Sequence, residues 1–210
     1  AFHYGADPPL EALDVHDWVV LDPGAVPTAT VARRLGRARP VAYVSVGEAH
    51  GSAAYAPRIE KAWVLALNPD WGGRVVDARA EGYRALLLEE VLPDLWARGF
   101  RGFFLDTLDA HVGALEGEER RAAWRAVAEL VTGIRARFPD AVLIVNRGFE
   151  VLSEIAPAVD AVAAESLFAG WDPKEKAYRP VPEGDRAWLS RQLRRARALG
   201  KTTIAIDYLP

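Results

Sequence analysis

Five short stretches of this chain run apolar and stop on a carboxylate: Trp18-Val-Val-Leu-Asp22, Val41 to Glu48, Gly102-Phe-Phe-Leu-Asp106, Val162-Ala-Ala-Glu165 and Thr203-Ile-Ala-Ile-Asp207. Apolar runs without a polar alternation suit parallel strands covered on both faces. In parallel α/β folds the carboxyl ends of the strands and the loops that follow them make one shared rim, and ligands bind there. A set of acids at that rim predicts an active site before any family is considered.

Strand and helix patterns alternate along all 210 residues, which indicates an α/β class with a parallel sheet. Strands are expected near Phe2–Gly5, Trp18–Asp22, Val41–Val46, Phe103–Asp106, Val142–Asn146, Ala161–Glu165 and Thr203–Asp207, with Arg74–Ala78 a further candidate of unclear place. A helix is expected from Gly117 to Phe138, where Trp124, Val127, Val131, Ile134 and Phe138 recur at steps of three and four and Pro139 stops the run. A second, from Glu81 to Arg98, carries Pro93, which should kink or break it. A third, from Asp185 to Leu199, ends at Gly200 as a C-cap.

Seven or eight βα units and no Gly-x-Gly-x-x-Gly fit a TIM-type (β/α)8 barrel better than a dinucleotide-binding sheet. If Arg74–Ala78 is peripheral, the final barrel strand is missing and an open seam lies between the first and seventh strands. Residues 1–210 read as one domain with no linker. The lack of any methionine points to an excised or processed piece of something longer, and the open seam to a chain that continues past Pro210.

Composition removes several classes. The formal charge of −3 gives no footprint for nucleic acid, and no apolar stretch approaches the ~18 residues of a membrane span. Without cysteine there is no disulfide, thiolate metal site or cysteine nucleophile. His3, His16, His50 and His111 show no i, i+4 ligand pair, no Gly-x-Ser-x-Gly or P-loop is present, and no cofactor or catalytic metal is expected.

Asp106 and Glu165 form the best catalytic pair. They end strands two apart, about 9 Å between backbones at ordinary strand spacing, and alternate strands of a barrel share a side-chain layer. Inward side chains would narrow that gap to about 5–6 Å, near the separation of a retaining glycosidase pair. The bland alternative is that each acid caps a helix or holds an arginine. Asp109 then reads as a loop hydrogen-bonder. Asn146 and Arg147 are placed to bind a hydroxyl or orient Glu165, while Tyr43 and Tyr208 either assist or fill the core. The connection from Ser166 to Gly184 is long for a βα loop, which predicts function. It carries Phe168, Trp171 and Tyr178, either sugar platforms or rings that pin the loop, with Trp171 the preferred contact.

Tyr43-Val-Ser-Val-Gly-Glu48, Gly102-Phe-Phe-Leu-Asp-Thr-Leu-Asp109 and Val145-Asn-Arg-Gly-Phe-Glu150 resemble the endo-α-1,4-polygalactosaminidase-like hydrolases. Tyr4-Gly-Ala-Asp-Pro-Pro9, Glu165-Ser-Leu-Phe-Ala-Gly-Trp171 and Ala205-Ile-Asp-Tyr-Leu-Pro210 are similar to the hydrolase domains of the Pel exopolysaccharide system. The resemblance implies a TIM-type barrel that cleaves α-1,4-linked galactosamine or N-acetylgalactosamine within a chain, in the periplasm or outside the cell. It also implies Asp106 and Glu165 as the catalytic acids, with Asp106 preferred as nucleophile and Glu165 as acid/base. A deacetylase domain of the same polypeptide is the implied partner. On that reading, Asp22, Glu48, Asp77, Asp109 and Asp207 make a negative groove for a cationic amino-sugar polymer. The competing expectation is a non-catalytic barrel that holds the polymer for a deacetylase or an exporter; another barrel acid/base activity, a lyase or isomerase, is a third. No lysine stands at a strand end for Schiff-base chemistry.

Overall fold

The computed structural model describes residues 1–26, 35–70, 72–172 and 175–208. Pro173 and Lys174 of the long loop, and Leu209 and Pro210 of the terminal motif, lie outside the described residues, as does any continuation of the chain.

Seven strands form one all-parallel sheet: β1 (Phe2–His3), β2 (Trp18–Leu21), β3 (Arg39–Ser45), then β7 (Gly102–Asp106), β8 (Val142–Asn146), β9 (Ala161–Glu165) and β12 (Thr202–Ile206), in that order. The sheet curls into a TIM-type barrel without closure, β1 and β12 being its edges. No strand joins them among the described residues.

Arg74–Ala78 falls outside this sheet. Its β6 (Gly73–Val76) pairs antiparallel with β4 (Glu48–Ala49) and β5 (Val64–Asn68) in a separate three-stranded sheet inserted after β3. The loop Ser166–Gly184 is not structureless either. It holds an antiparallel hairpin, β10 (Ala169–Asp172) and β11 (Ala177–Pro180), in which Trp171 is the cross-strand partner of Tyr178.

The apolar runs are buried on both faces because two cores meet on them. Inside the barrel Val20, Val41, Phe104, Val142, Ile144, Ala161 and Ala163 pack together, joined by Phe2, Tyr43, Ile204 and Ile206. Outside, alternate residues such as Val19, Phe103, Leu143 and Val162 face the helices. The small alanines of β9 leave room inside for the rings opposite.

Of the helices, α1 (Leu10–Leu13) and α5 (Leu152–Ile155) are single turns, and the long α4 (Gly117–Arg137) buries Trp124, Val127, Val131 and Ile134. Each such side chain contributes about 1.5–3 kcal/mol by leaving water. The stretch with Pro93 runs as α2 (Glu81–Leu86), a π-turn (Leu87–Val91) and α3 (Leu92–Ala97). The irregularity falls on the turn before the proline, whose ring crowds the carbonyl four residues back and whose nitrogen donates nothing, so the ladder widens there. The last helix, α6 (Glu183–Ala198), is followed by Gly200 at φ +76°, where a left-handed residue ends the helix.

Candidate active site

Side chains alternate along a strand, so the inward phase set by the barrel core can be read on to the rim. Phe104 points inward, hence Asp106. Val142 and Ile144 lead to Asn146, Ala161 and Ala163 to Glu165, Ile204 and Ile206 to Tyr208, and Phe2 to Tyr4. Asp106, Asn146 and Glu165 end their strands, Tyr4 follows one directly, and Tyr208 lies two residues past the last.

The chain then turns off the rim by one repeated device. Thr107, Arg147 and Ser166, the residues after Asp106, Asn146 and Glu165, all have positive φ: +62°, +60° and +63°. None is glycine, and Thr107 is β-branched, so these turns carry strain of order 1–3 kcal/mol each. The surroundings hold them. Thr107 Oγ1 accepts from the Gly47 amide at 2.9 Å, and the Ser166 amide donates to Ile206 O at 2.8 Å. A Cβ on Gly47 would stand 2.0 Å from the Thr107 carbonyl oxygen, so only glycine lets the β3–β4 turn lie against the turn carrying Asp106.

The two acids meet through one amide. Asn146 Nδ2 donates to Asp106 Oδ1 at 2.8 Å and to Glu165 Oε1 at 3.0 Å. The two N–H bonds of a planar amide diverge by roughly 120°, which sets these oxygens about 5 Å apart. Tyr43 Oη donates to the other Asp106 oxygen at 2.5 Å, and Tyr208 donates to Glu165. Arg147 binds the backbone carbonyl of Glu165 at 3.1 Å. Tyr4 completes the ring set, edge-on to Tyr43 at 5.4 Å.

Burial is the largest influence on the Glu165 carboxyl and pushes its pKa up, and the Asp106 charge adds to the rise. Hydrogen bonds from Tyr208 and Asn146 and the Arg147 charge offset part of it. Burial and the two carboxylates also push the phenols of Tyr4, Tyr43 and Tyr208 far above their ordinary value. These three groups stay protonated and serve as fixed donors. The site therefore holds one carboxyl biased toward its protonated form within reach of a second carboxylate that accepts two hydrogen bonds.

The remaining acids divide. Glu48 is not at the rim: β3 ends at Ser45, and Glu48 sits buried on β4, both its oxygens bound by Asn68 Nδ2 at 3.0 and 3.2 Å. Asp77 is held by the guanidinium and amide of Arg79 at 2.8–3.0 Å. Burial alone would raise the Asp77 carboxyl, but the Arg79 bonds outweigh it and hold the pKa below the usual range. Asp22 accepts the Gly24 amide at 2.8 Å, a turn-forming role. Asp207 accepts the Phe168 and Ala169 amides at 2.7 and 2.9 Å, fastening the start of the hairpin loop to the strand β12 end. Asp109 is exposed beside a short 3-10 turn. Of the five acids expected in the groove, Glu48 and Asp77 are thus held by Asn68 and Arg79, Asp22 and Asp207 accept backbone amides, and Asp109 is exposed. Phe168 and Trp171 are exposed on the loop.

Tyr4 was outside the sequence-derived set, although its place just after a strand is the signal that marks the others. Tyr178, one of the three rings expected on the long loop, stacks on Tyr208 at 5.6 Å and meets Trp171 edge-on at 5.2 Å. Among the described residues, no group of three or more His, Asp or Glu side chains is arranged to hold a metal ion.

A curled parallel barrel with paired carboxylates at the carboxyl rim is the architecture of a glycoside hydrolase. The chain belongs to glycoside-hydrolase family GH114, whose profile matches residues 2–210. The glycoside hydrolase domain of PelA from Pseudomonas aeruginosa is 40% identical, with a TM-score of 0.90 over 100% of this chain and 83% of that one. The Aspergillus fumigatus Ega3 structure, solved with galactosamine, shares the fold: TM-score 0.70 at 12% identity, over 99% of this chain and 76% of that one. An uncharacterized protein of Deinococcus radiodurans is 28% identical over 178 residues. That match takes in 80% of this chain and 55% of the relative, so the chain spans about half the length of the curated relative it matches.

Proposed function

We propose that this domain is an endo-acting, retaining glycoside hydrolase that cleaves α-1,4-linked galactosamine and N-acetylgalactosamine in an exopolysaccharide, in the periplasm or outside the cell. A deacetylase domain of the same polypeptide is the proposed partner. The reading is carried by one observation: carboxylate oxygens of Asp106 and Glu165 share the Asn146 amide, about 5 Å apart, the spacing at which one acid attacks directly with no room for an intervening water. The 40% identity to the PelA glycoside hydrolase domain supports the hydrolase class.

Asp106, oriented by Tyr43 and Asn146, is the nucleophile. Its free electron pair attacks the anomeric carbon while Glu165 gives its proton to the departing glycosidic oxygen. A glycosyl ester on Asp106 and a carboxylate on Glu165 result. Glu165 then takes a proton from water, the water oxygen attacks the same carbon, and the ester bond breaks to restore Asp106. The raised pKa of Glu165 suits the first step, because the carboxyl keeps its proton to higher pH than an ordinary glutamate does. The ammonium groups of a partly deacetylated polymer are attracted by the rim carboxylates, so hydrolysis is expected to slow as ionic strength rises.

The test is release of short oligosaccharides from a galactosamine polymer by the parent, Asp106→Asn and Glu165→Gln, with polymer binding measured alongside. Release should collapse in both variants while binding persists. A parent that binds without releasing anything would replace the enzyme reading with that of a polymer-holding module.

A further inference from the structure

A cleft of about 530 Å³ lies between the β10–β11 hairpin and the first half of α6, apart from the paired carboxylates. We propose that it is a distal subsite for the same amino-sugar polymer, holding a stretch of chain several units from the bond that is cut. The inference rests on the hydrolase reading and adds where the rest of the substrate goes.

Three observations carry it. The cleft adjoins the loops that carry the acids, since its lining includes Ser166 and Arg147, at the turns that follow Glu165 and Asn146. A line of rings then joins the two places. Tyr208 hydrogen-bonds Glu165, Tyr178 stacks on Tyr208, Trp171 meets Tyr178 edge-on, and Trp171 is itself in the cleft wall. Trp171 and Tyr178 are partly exposed, and apolar faces of sugar rings pack on such aromatic surfaces.

Last, the cleft has the chemistry of an amino-sugar site. Trp188, 38% exposed and braced edge-on against Phe149 at 5.7 Å, stands in the lining together with Trp171. Asp185 offers a carboxylate to ammonium groups, and Arg179, which also pairs with Glu175 at 3.6 Å, carries further N–H donors for hydroxyl or acetamido oxygens. Its volume is in the range of small-ligand sites.

The test compares the parent with Trp188→Ala and Asp185→Asn on two substrates, a long galactosamine polymer and a galactosamine trisaccharide that fills only the units nearest the bond that is cut. Asp185→Asn keeps the shape and guards against a packing effect of the tryptophan change. On polymer, kcat/KM should fall about tenfold in each variant through KM, as for the loss of one good contact. On the trisaccharide it should not change. Equal losses on both substrates, or an unchanged value on polymer, would overturn the subsite.

Polymer affinity, read from tryptophan fluorescence, keeps the two readings separable. If the parent releases no sugar, the hydrolase reading fails and the affinities decide the cleft: weakening of about tenfold in both variants supports it, and equal affinity overturns it.

Discussion

Asn146→Leu removes the amide that both acids share while nearly keeping the side-chain volume. Asn146 is 8% exposed, and its Oδ1 is buried with no hydrogen-bond partner among the described residues. Leucine therefore strands no partner of that oxygen, but it leaves two carboxylate oxygens without their donor, so the melting temperature should fall by a few degrees while the fold is kept. The loss falls on Nδ2, which binds two carboxylates at 2.8 and 3.0 Å. Hydrogen bonds to charged groups contribute about 1.5–3 kcal/mol each. Losing both should remove roughly 3–6 kcal/mol of orientation and charge stabilisation, a fall in kcat of about 10²–10⁴-fold.

A second readout separates this from loose packing. Asn146 is one of the groups that lower the Glu165 pKa against burial and the Asp106 charge. Without it that pKa moves further up, so the alkaline limb of the kcat–pH profile shifts to higher pH. The assay is kcat against pH on a galactosamine oligosaccharide, with thermal unfolding as the folding control. A loss under about tenfold, or an alkaline limb that stays put or moves down, would refute the bridging role.

Tyr43→Phe deletes the 2.5 Å bond to Asp106 and leaves a ring packed against Phe104 and Tyr4, so kcat should fall about 10–100-fold with little change in melting temperature. Glu165→Gln should be more stable than the parent at neutral pH. A carboxyl whose folded pKa lies above its unfolded value holds the extra proton in the native state, so parent stability falls as pH rises from the ordinary glutamate range through the raised value. The gap in melting temperature should close below that range, and a variant less stable at neutral pH would contradict the buried-acid account. Gly47→Ala should destabilise by about 2–4 kcal/mol in urea titrations, because the new Cβ meets the Thr107 carbonyl at 2.0 Å.

The barrel strands were legible because a run covered on both faces leaves a continuous apolar signature, and Asp106, Asn146 and Glu165 fall at the ends of three adjacent ones. Arg74–Ala78 carries the same local signal. What sends it to a separate sheet is pairing with Glu48–Ala49 and Val64–Asn68, which no local pattern records. The same limit explains the acids assigned too generously to the groove. That Glu48 is bound by Asn68 is a property of that inserted sheet, and Asp77 turns on itself to meet Arg79 two residues along. Tyr4 escaped notice because β1 is two residues long, too short to show a phase. The hairpin in the long loop was hidden because Ala169–Asp172 and Ala177–Pro180 hold a glycine and a proline where a strand signal would want branched residues.

The stereochemistry of the first product tests the central claim most directly. On the proposed retaining mechanism, carboxylate oxygens about 5 Å apart leave no space for water to attack from behind, and cleavage passes through an ester on the protein and two inversions. Proton NMR of the new reducing ends, recorded before mutarotation, should show the α anomer appearing first and the β anomer growing in later. A β anomer formed first would mean single displacement by water, and the assignment of Asp106 as nucleophile would be wrong.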